Sequence, residues 1–450
     1  MPAAVSATTP APPIDPKALF RKITWRLIPY LFFLYILAYL DRVNVGFAAL
    51  DMQRDLHLSN TVYGTGAGIF FLGYALFDLP SNLLLGRFGA RRWIARIMVT
   101  WGLIATAMTF VSGPHSFYLL RFLLGLGEAG FFPGIILYLT FWFPSRERAR
   151  AIAKFMTATS LAGVVGGPLS GYLLKLDGRS GLQGWQWLFL SEGLPTILMG
   201  ISVLFILRDK PDDAPWLTQP EKLWLDAELE RDRNAGGAAS HHNLLDAFKL
   251  PLVWLLAAVY IVSQIGVYTV NLWMPLMLNS FVHARAANDA SHIALYSTLP
   301  YLAAAICTVF VGWSSDRTGD RRWHIAACLM TSAIGFSWAA VAHSLPAALC
   351  AFTLGAIGWW SMMGAFWALL TRLLSGRAAA GGVALISIVG GLGGFIGPEI
   401  TGRLRDTTHS FSAGLFLIAG LGVLAAAICL AMREPPAFEP EILPQPSPSS

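Results

Sequence analysis

The stretch that decides the fold reads Phe117-Tyr118-Leu119-Leu120-Arg121-Phe122-Leu123-Leu124-Gly125-Leu126-Gly127-Glu128-Ala129-Gly130. It is apolar over a membrane-crossing length, yet it contains an arginine and a glutamate. A charge in the core of a bilayer is costly, so such a side chain normally faces the protein interior or a water-filled path. Arg121 and Glu128 are about two helical turns apart, so both project from one face. The stretch therefore predicts a transmembrane helix with a polar path beside it.

The composition of the whole chain is that of a multi-pass membrane protein. Of its 450 residues, 55% are hydrophobic and 13% are charged, and its mean hydropathy is +0.56. A soluble protein usually carries about a quarter charged residues. The net charge is +6 and the basic residues lie beside apolar segments, so nucleic-acid binding is not indicated. The four cysteines form no CxxC motif or Cys/His cluster, so neither a disulfide framework nor a metal site is predicted.

Apolar segments long enough to cross about 30 Å of hydrocarbon recur along the chain. We count about twelve of them, six on each side of a long polar stretch. The first six are Leu27–Leu50, Val62–Leu85, Trp93–Val111, Phe117–Phe143, Ala151–Leu174 and Trp187–Leu207. The second six are Leu252–Leu278, Ile293–Ser314, Ile325–Ala342, Leu345–Leu370, Ala378–Gly402 and Gly414–Met432. The predicted fold class is an all-α membrane protein with twelve transmembrane helices in two six-helix halves.

The domain organisation follows from the same pattern. Residues 21–207 and 251–433 hold the two six-helix bundles, and residues 208–250 form a cytoplasmic linker. Residues 1–20 and 434–450 are polar or Ala- and Pro-rich tails that we expect to be disordered. Inside the linker, Thr218-Gln219-Pro220-Glu221 resembles a capping box, which predicts a short surface helix ending near Gly236.

Lysine and arginine are concentrated in every second loop, which predicts the orientation in the membrane. The basic residues of these loops include Lys17 and Arg21 before the first segment, and Arg91 and Arg321 in later loops. Both termini should therefore be cytoplasmic, as an even number of crossings requires. We expect a protein of the bacterial inner membrane, surrounded by lipid and monomeric.

The basic loops after the second and the eighth segments repeat one motif. The second copy, Gly312–Arg322, matches G-x-x-x-D-R-x-G-x-R-R at every fixed position. The first copy, Asn82–Arg92, keeps all three arginines and the second glycine but lacks the leading glycine and the aspartate. The pair resembles the loop signature of the major facilitator superfamily, whose members fold as two six-helix halves around a midplane site. We expect the loops to latch the cytoplasmic side of the protein through a set of charged residues. That set is Arg87, Arg91, Arg92, Asp316, Arg317, Arg321 and Arg322.

Four further runs narrow the resemblance. They are Tyr39–Asn44, Arg121–Gly134, Gly166–Gly171 and Gly364–Leu370. These runs are similar to the anion:cation symporter family, and the similarity extends from about Phe20 to Met432. Its nearest groups are the tartrate, phthalate and hydroxyphenylacetate permeases, with galactonate-type symporters as cousins. The resemblance implies transport of a small organic acid anion together with protons.

The intramembrane charges are the candidate transport site. Asp41 and Arg42 lie within the first segment, at a depth that matches that of Arg121 if the two helices are neighbours, and Glu128 lies nearer the midplane. We expect Arg42 and Arg121 to bind the substrate carboxylate, because a guanidinium fork suits planar oxyanions. Asp41 and Glu128 are the predicted protonation sites, and the matching positions of the resembled symporters carry these roles. The alternative is that the charges only neutralise one another between helices.

Further residues are candidates for substrate contact on weaker sequence grounds. Tyr39 and Tyr74 match cavity tyrosines of the resembled family, with packing as the alternative. The other predicted substrate contacts are Asn44, Thr159 and Asn271, and the Thr159 hydroxyl has the alternative of bonding its own helix. We expect Asp78 to anchor the nearby arginine-rich loop rather than to relay protons.

Some positions depart from the resembled family. Asparagines are usual in the eleventh segment where this chain has Ser387 and Gly391, and a tyrosine is common where Glu399 stands. With fewer long polar side chains in the second half of the site, a smaller or more aromatic acid is favoured over a polyhydroxylated sugar acid.

Glycine patterns complete the sequence evidence. Gly125–Gly130 fits G-x-G-x-x-G, but it lies in a membrane helix with no preceding strand, so dinucleotide binding is not predicted. Gly163, Gly167 and Gly171 form small-xxx-small steps that predict close helix packing.

The predicted function is proton-coupled import of an organic acid by alternating access, without a cofactor and without enzymatic activity. The alternatives are an organic-anion exchanger, a sodium-coupled carrier and a membrane sensor that transports nothing.

Overall fold

The computed structural model describes residues 14–236, 249–282, 289–373 and 376–432. Within these ranges the chain forms fifteen α-helices, three short 3-10 helices and no strand. The helices before the linker are α1 (Pro16–Asp55), α2 (Asn60–Phe88), α3 (Ala90–Ala107), α4 (Pro114–Glu128), α5 (Phe131–Thr140), α6 (Ser145–Leu174) and α7 (Gly184–Ile206). Helix α8 (Gln219–Gly236) lies in the linker. The remaining helices are α9 (Pro251–Asn279), α10 (Asp289–Tyr296), α11 (Thr298–Thr318), α12 (Arg322–Ala340), α13 (Leu345–Leu373), α14 (Gly376–Thr408) and α15 (Ser412–Ala431).

These helices form twelve membrane crossings, two of which are built from consecutive helices. The pairs are α4 with α5 and α10 with α11. By length and composition, eleven segments among the described residues are apolar enough to cross a membrane. The twelfth crossing is α12, which begins Arg322-Trp323-His324 and so has a shorter apolar run. Helix α12 still packs between α13 and α15. The predicted all-α class and twelve-helix architecture are confirmed.

The first helix begins earlier than the sequence pattern suggested. Helix α1 starts at Pro16, so residues 16–20 belong to it and not to the predicted tail of residues 1–20. The Asp15 side chain accepts a hydrogen bond from the Lys17 backbone N–H at 2.9 Å. Proline at the first helical position suits the start of a helix because its missing N–H would have had no partner there. Residues 1–13 and the tail from 434 to 450 lie outside the described residues, and the other domain limits stay predictions.

The predicted surface helix of the linker is present as α8. The Thr218 backbone N–H donates to Glu221 Oε2 at 2.8 Å, as the capping box requires. The Lys22 ammonium forms a salt bridge of 2.8 Å with Glu221, which ties α8 to α1. Partial burial opposes ionisation of Glu221, but the hydrogen bonds from Lys22 and Thr218 outweigh it and hold the pKa of this carboxyl below its usual value. Helix α8 is therefore attached to the N-terminal half.

The fourth crossing is interrupted in its middle, where the sequence predicted one helix over Phe117–Phe143. Helix α4 ends at Glu128, and Gly130 adopts a left-handed conformation with φ of 82° before α5 begins. The Gly130 N–H donates to Asp78 Oδ1 at 3.1 Å. Asp78 therefore stabilises this break, where the sequence predicts an anchor for the basic loop. The break leaves Glu128 at the end of a helix inside the bundle.

Glycines allow close approach of neighbouring helices. A Cβ atom at Gly125 of α4 would lie 2.0 Å from the Phe70 carbonyl oxygen of α2. A Cβ atom at Gly167 of α6 would lie 2.4 Å from the Ala294 carbonyl oxygen of α10. The predicted close packing of the α6 glycines is thus confirmed, and its partners belong to the other half.

The two halves contact each other at one end of the bundle. We call the end where α1 begins and α15 finishes the terminal end, and the opposite one the distal end. At the distal end, the Asp406 carboxylate on α14 accepts from the Thr61 N–H at 2.7 Å and the Thr61 hydroxyl at 2.6 Å. Nearby, the Tyr63 hydroxyl donates to the Leu272 carbonyl oxygen at 2.7 Å. At the terminal end, a Cβ atom added to Gly86 would meet no atom within 4 Å. The halves are therefore closed against each other at the distal end.

Candidate functional site

Helices α1 and α4 bring two of the predicted charges into direct contact. Arg42 Nη2 and Glu128 Oε1 form an ion pair. Glu128 is 1% exposed and the Arg42 side chain is 18% exposed. Because α4 ends at Glu128, the pair lies at the interruption of the fourth crossing. Arg42, predicted to bind the anion, and Glu128, predicted to take up a proton, are therefore paired with each other.

Arg121 is buried without enough hydrogen-bond acceptors. It is 0% exposed, and its Nη2 donates to the Ala67 carbonyl oxygen at 3.0 Å. Its Nε and Nη1 atoms have no hydrogen-bond partner among the described residues. A buried guanidinium in this state is costly, because each unpaired N–H has lost its water. The carboxylate oxygens of an anion would complete its coordination.

An aromatic ring lies between the two guanidinium groups. The Phe70 ring centroid is 4.9 Å from Arg121 Cζ and 5.7 Å from Arg42 Cζ. The Tyr74 ring lies 5.3 Å from Arg42 Cζ. The negative faces of these rings stabilise the cations without neutralising them. The predicted contact residue Tyr74 therefore lies beside the arginine that pairs with Glu128.

Asp41 has a different environment from Glu128. It is 1% exposed and accepts from Trp101 Nε1 at 2.6 Å and from Asn44 Nδ2 at 3.2 Å. Among the described residues, no arginine lies within salt-bridge distance of Asp41. Neutral donors therefore hold this acid, whereas a cation holds Glu128.

The structure adds one acid that the sequence analysis overlooked. Glu192 on α7 is 3% exposed, and its Oε2 accepts from Asn44 Nδ2 at 2.7 Å. It lies in the predicted segment Trp187–Leu207, so the rule that singled out Asp41 and Glu128 would have found it. Asn44, predicted to contact substrate, directs its amide group to two carboxylates, and its substrate role stays a prediction.

Predicted residues of the two halves meet at Asn271. This residue of α9 is 4% exposed, and its Oδ1 accepts from the Tyr301 hydroxyl at 2.7 Å. Tyr39 of α1 lies beside both Asn271 and Trp360. By contrast, the Thr159 hydroxyl donates to the Met156 carbonyl oxygen of its own helix at 2.7 Å, which is the alternative that the sequence left open.

The residues of the predicted latch make their described contacts within their own half or with the adjoining linker. The Arg91 N–H donates at 2.8 Å to Asp209, which lies at the start of the linker after the N-terminal half. Arg321 pairs with Asp316 at 2.7 Å in the C-terminal half. The remaining members lie at the same terminal end: Arg87 beside Phe88, Arg92 exposed, Arg317 beside Trp313, and Arg322 donating to Met432 O. Because none of these described contacts joins the two halves, the latch stays a prediction for another state of the protein.

Comparison with known proteins identifies a matching family and several similar proteins. The model of the Major Facilitator Superfamily matches residues 31–398 and 284–448. A protein named "Putative tartrate transporter" from Agrobacterium vitis is 45% identical over 423 residues, which are 94% of this chain and 93% of the relative. A protein named "Quinolone resistance transporter" from Acinetobacter baumannii is 41% identical over 403 residues, which are 90% of this chain and 92% of the relative.

A solved structure has the same fold. A bacterial homologue of the human lysosomal transporter Spinster matches with a TM-score of 0.74 and 20% identity, over 94% of this chain and all of that one. The relatives are named as transporters and not as enzymes. The family model covers most of the chain, and it confirms the resemblance that the repeated basic loops indicated. This chain belongs to the major facilitator superfamily.

Proposed function

We propose that this chain imports an organic acid anion together with protons, by alternating access across the inner membrane of a bacterium. In the predicted orientation both termini are cytoplasmic, so the terminal end is the inner end. The contacts of Asp406 and Tyr63 at the distal end then correspond to a state that is closed to the outside.

The unpaired guanidinium of Arg121 is the observation that carries the proposal. Two of its nitrogens are buried without an acceptor. A substrate carboxylate would supply acceptors to both, and each charge-assisted hydrogen bond contributes about 1.5–3 kcal/mol. An uncharged substrate could accept hydrogen bonds from these groups but would leave the buried positive charge unbalanced, so the site favours an anion.

The ion pair of Arg42 with Glu128 supports coupling to protons. A proton on Glu128 removes the negative partner of Arg42 and frees its guanidinium for the substrate. An anion bound to Arg42 in turn removes the cation that stabilises ionised Glu128. Because a buried charge without its partner is costly, proton binding and anion binding favour each other. That mutual preference is what a symporter requires.

The lining from the C-terminal half supports a compact or aromatic acid. It offers the amide of Asn271 and aromatic rings, among them Tyr268, whose ring lies 4.0 Å from that of Phe71. Ser387 and Gly391 add little hydrogen-bonding capacity. The relative named for tartrate supports an organic acid as the class of substrate.

A second candidate is export of an aromatic drug that carries a carboxylate. The relative named for quinolone resistance favours it. A quinolone joins a carboxylate to a flat ring system, so Arg121 and the aromatic lining suit it as well. The direction of transport separates the two candidates, because a proton-driven exporter exchanges protons for its substrate.

The experiment that tests the proposal is uptake by proteoliposomes under an inward proton gradient. The panel is tartrate, galactonate, phthalate, 4-hydroxyphenylacetate and one quinolone, each with and without an uncoupler. We expect accumulation of one acid that collapses with the uncoupler. Flux that ignores the uncoupler but needs an internal anion identifies an exchanger, and dependence on sodium identifies a sodium-coupled carrier. Absence of any flux favours a sensor.

A further inference from the structure

Two buried carboxyl groups on different helices share one amide nitrogen. Asn44 Nδ2 lies 2.7 Å from Glu192 Oε2 on α7 and 3.2 Å from Asp41 Oδ1 on α1. All three residues are almost completely buried. The other oxygen of Glu192 and the amide oxygen of Asn44 have no hydrogen-bond partner among the described residues. The cluster therefore has more acceptors than donors.

No cation balances this pair directly. Asp41 is the charged group that faces Glu192 from α1. Helices α3 and α6 also pack against α7, and the described residues of these two helices bring no charged side chain to Glu192. Outside the pair, Asp41 also interacts electrostatically with Glu128 and Arg121 of α4. Ionising both acids would therefore place two negative charges around one amide nitrogen, away from water.

A proton retained by one of the two carboxyl groups would supply the missing hydrogen-bond donor. Two carboxyl groups this close cannot both ionise at low cost, so such a pair keeps one proton over a wide range of pH. A proton on the pair is an O–H donor, which is what the surplus acceptors lack. Its two ionisations then belong to the pair and not to either residue.

We infer that Glu192 is the second carboxyl of the proton site: Asp41 and Glu192 form an acid pair, bridged by the Asn44 amide, that holds one shared proton. This extends the sequence prediction, which names Asp41 alone as the protonation site of this cluster, and its role in transport rests on the proposed function. The pair itself is a property of the folded N-terminal half. It exists whether or not the chain moves protons.

Infrared spectroscopy of purified protein in nanodiscs tests the pair without transport. The signal is the absorption of protonated carboxyl groups, followed by titration with pH. In the wild type we expect the pair to lose its protons in two widely separated steps. In Glu192→Gln the remaining acid should titrate in one step, at a pH about one unit or more below the last step of the wild type. Asp41→Asn should give the mirror result from Glu192, and it serves if Glu192→Gln does not fold.

A structural role for Glu192 makes a different prediction. The control variant Thr196→Val changes a buried residue one turn away, whose hydroxyl donates to the Glu192 carbonyl oxygen at 2.8 Å, and leaves both acids in place. We expect it to keep both titration steps, and Glu192→Asp to restore them. If Glu192→Gln and Asp41→Asn each leave the last step unmoved, the pair does not exist. If each of the two variants shows one titration step in place of two, but wild-type uptake ignores an uncoupler, the acid pair exists and the proposed proton symport fails.

Discussion

The two halves of the bundle differ in what they bury. Among the described residues, the charged side chains that are fully buried all lie in the N-terminal half: Asp41, Arg121, Glu128 and Glu192. The buried polar residues of the C-terminal half are hydroxyls and one amide, that of Asn271. Similar six-helix bundles therefore carry different chemistry. The N-terminal half holds the charges, and the C-terminal half supplies shape and aromatic surface.

In the proposed alternating access, hydrogen bonds and ion pairs within one half must behave differently from those that join the two halves. Arg42 with Glu128, and Asn44 with Glu192, are pairs within one half, so reorientation leaves them intact. The bonds of Asp406 to α2 join the two halves and must break when the distal end opens. Because the buried charges lie together in one half, reorientation of the halves alone does not separate them from one another.

Arg121→Lys should have the largest effect on transport. Lysine keeps the positive charge but loses the planar fork, so it cannot donate two parallel hydrogen bonds to a carboxylate. With two charge-assisted bonds lost or weakened, we expect uptake to fall about 100-fold or more. Initial rates in proteoliposomes measure this effect. Arg179→Lys, an exposed residue of the distal loop, is the matched control. Uptake near the wild-type rate in Arg121→Lys would place the anion elsewhere.

Glu128→Gln should separate coupling from binding. Glutamine cannot release a proton, so we expect proton-driven accumulation to fall about tenfold or more, while exchange of internal for external substrate continues. Comparison of the two assays on one preparation checks this. Glu147→Gln removes a partly exposed carboxylate that pairs with Arg150 and serves as the control. Intact proton-driven uptake in Glu128→Gln would remove Glu128 from the coupling mechanism.

The sequence predicted the charges of the N-terminal half because a single physical rule identifies them. An ionisable residue inside an apolar segment is rare enough to mark a site, and Asp41, Arg121 and Glu128 were found in this way. Glu192 obeys the same rule and was overlooked. The capping box of α8 could also be predicted from the sequence, because its hydrogen bond joins Thr218 to Glu221 within one turn.

Other features depend on contacts that a linear pattern does not contain. The break at Gly130 requires Asp78, a residue of another helix, to accept its N–H. Glycines are common in membrane helices, so Gly130 alone gave no signal. The distal contact joins Thr61 to Asp406 across the two halves, and only the folded bundle brings them together.

Asp406→Asn should shift the balance between the two states of the bundle. Its carboxylate accepts from the backbone and side chains of both Asn60 and Thr61. An amide accepts fewer of these bonds and carries no charge, so we expect the closed distal end to lose about 1–2 kcal/mol, a shift of roughly tenfold. Distances between spin labels on α2 and α14 measure it. Asp177→Asn is the matched control, because Asp177 accepts from the Gly184 N–H at the same end but within one half. An unchanged distance distribution in Asp406→Asn would exclude this contact as a latch.

Asn271→Ala tests the milder contribution of the C-terminal half. Removing one neutral hydrogen-bonding group at the site should cost about 1 kcal/mol, so we expect KM to rise roughly fivefold with little change in kcat. Ser263→Ala, a buried change on the same helix, is the control. A loss as large as that of Arg121→Lys would contradict the division of labour between the halves.

Lys22→Gln should have the smallest effect, because its ion pair lies at the surface. The side chains of Lys22 and Glu221 are 40% and 20% exposed. Exposed pairs contribute about 0–1 kcal/mol and weaken with salt. The pKa of Glu221 is lowered in the folded protein, so the contribution is present at neutral pH and fades as the pH falls through the range where this carboxyl protonates. We expect uptake to change less than about twofold, with a slightly lower thermal midpoint at low salt that disappears at high salt. Glu228→Gln, which removes a partly exposed carboxylate paired with Arg231 on α8 itself, is the control for charge. A severe loss of uptake in Lys22→Gln alone would mean that the α8 attachment takes part in the reorientation of the halves, and the chemistry of transport would then extend beyond the buried charges of the N-terminal half.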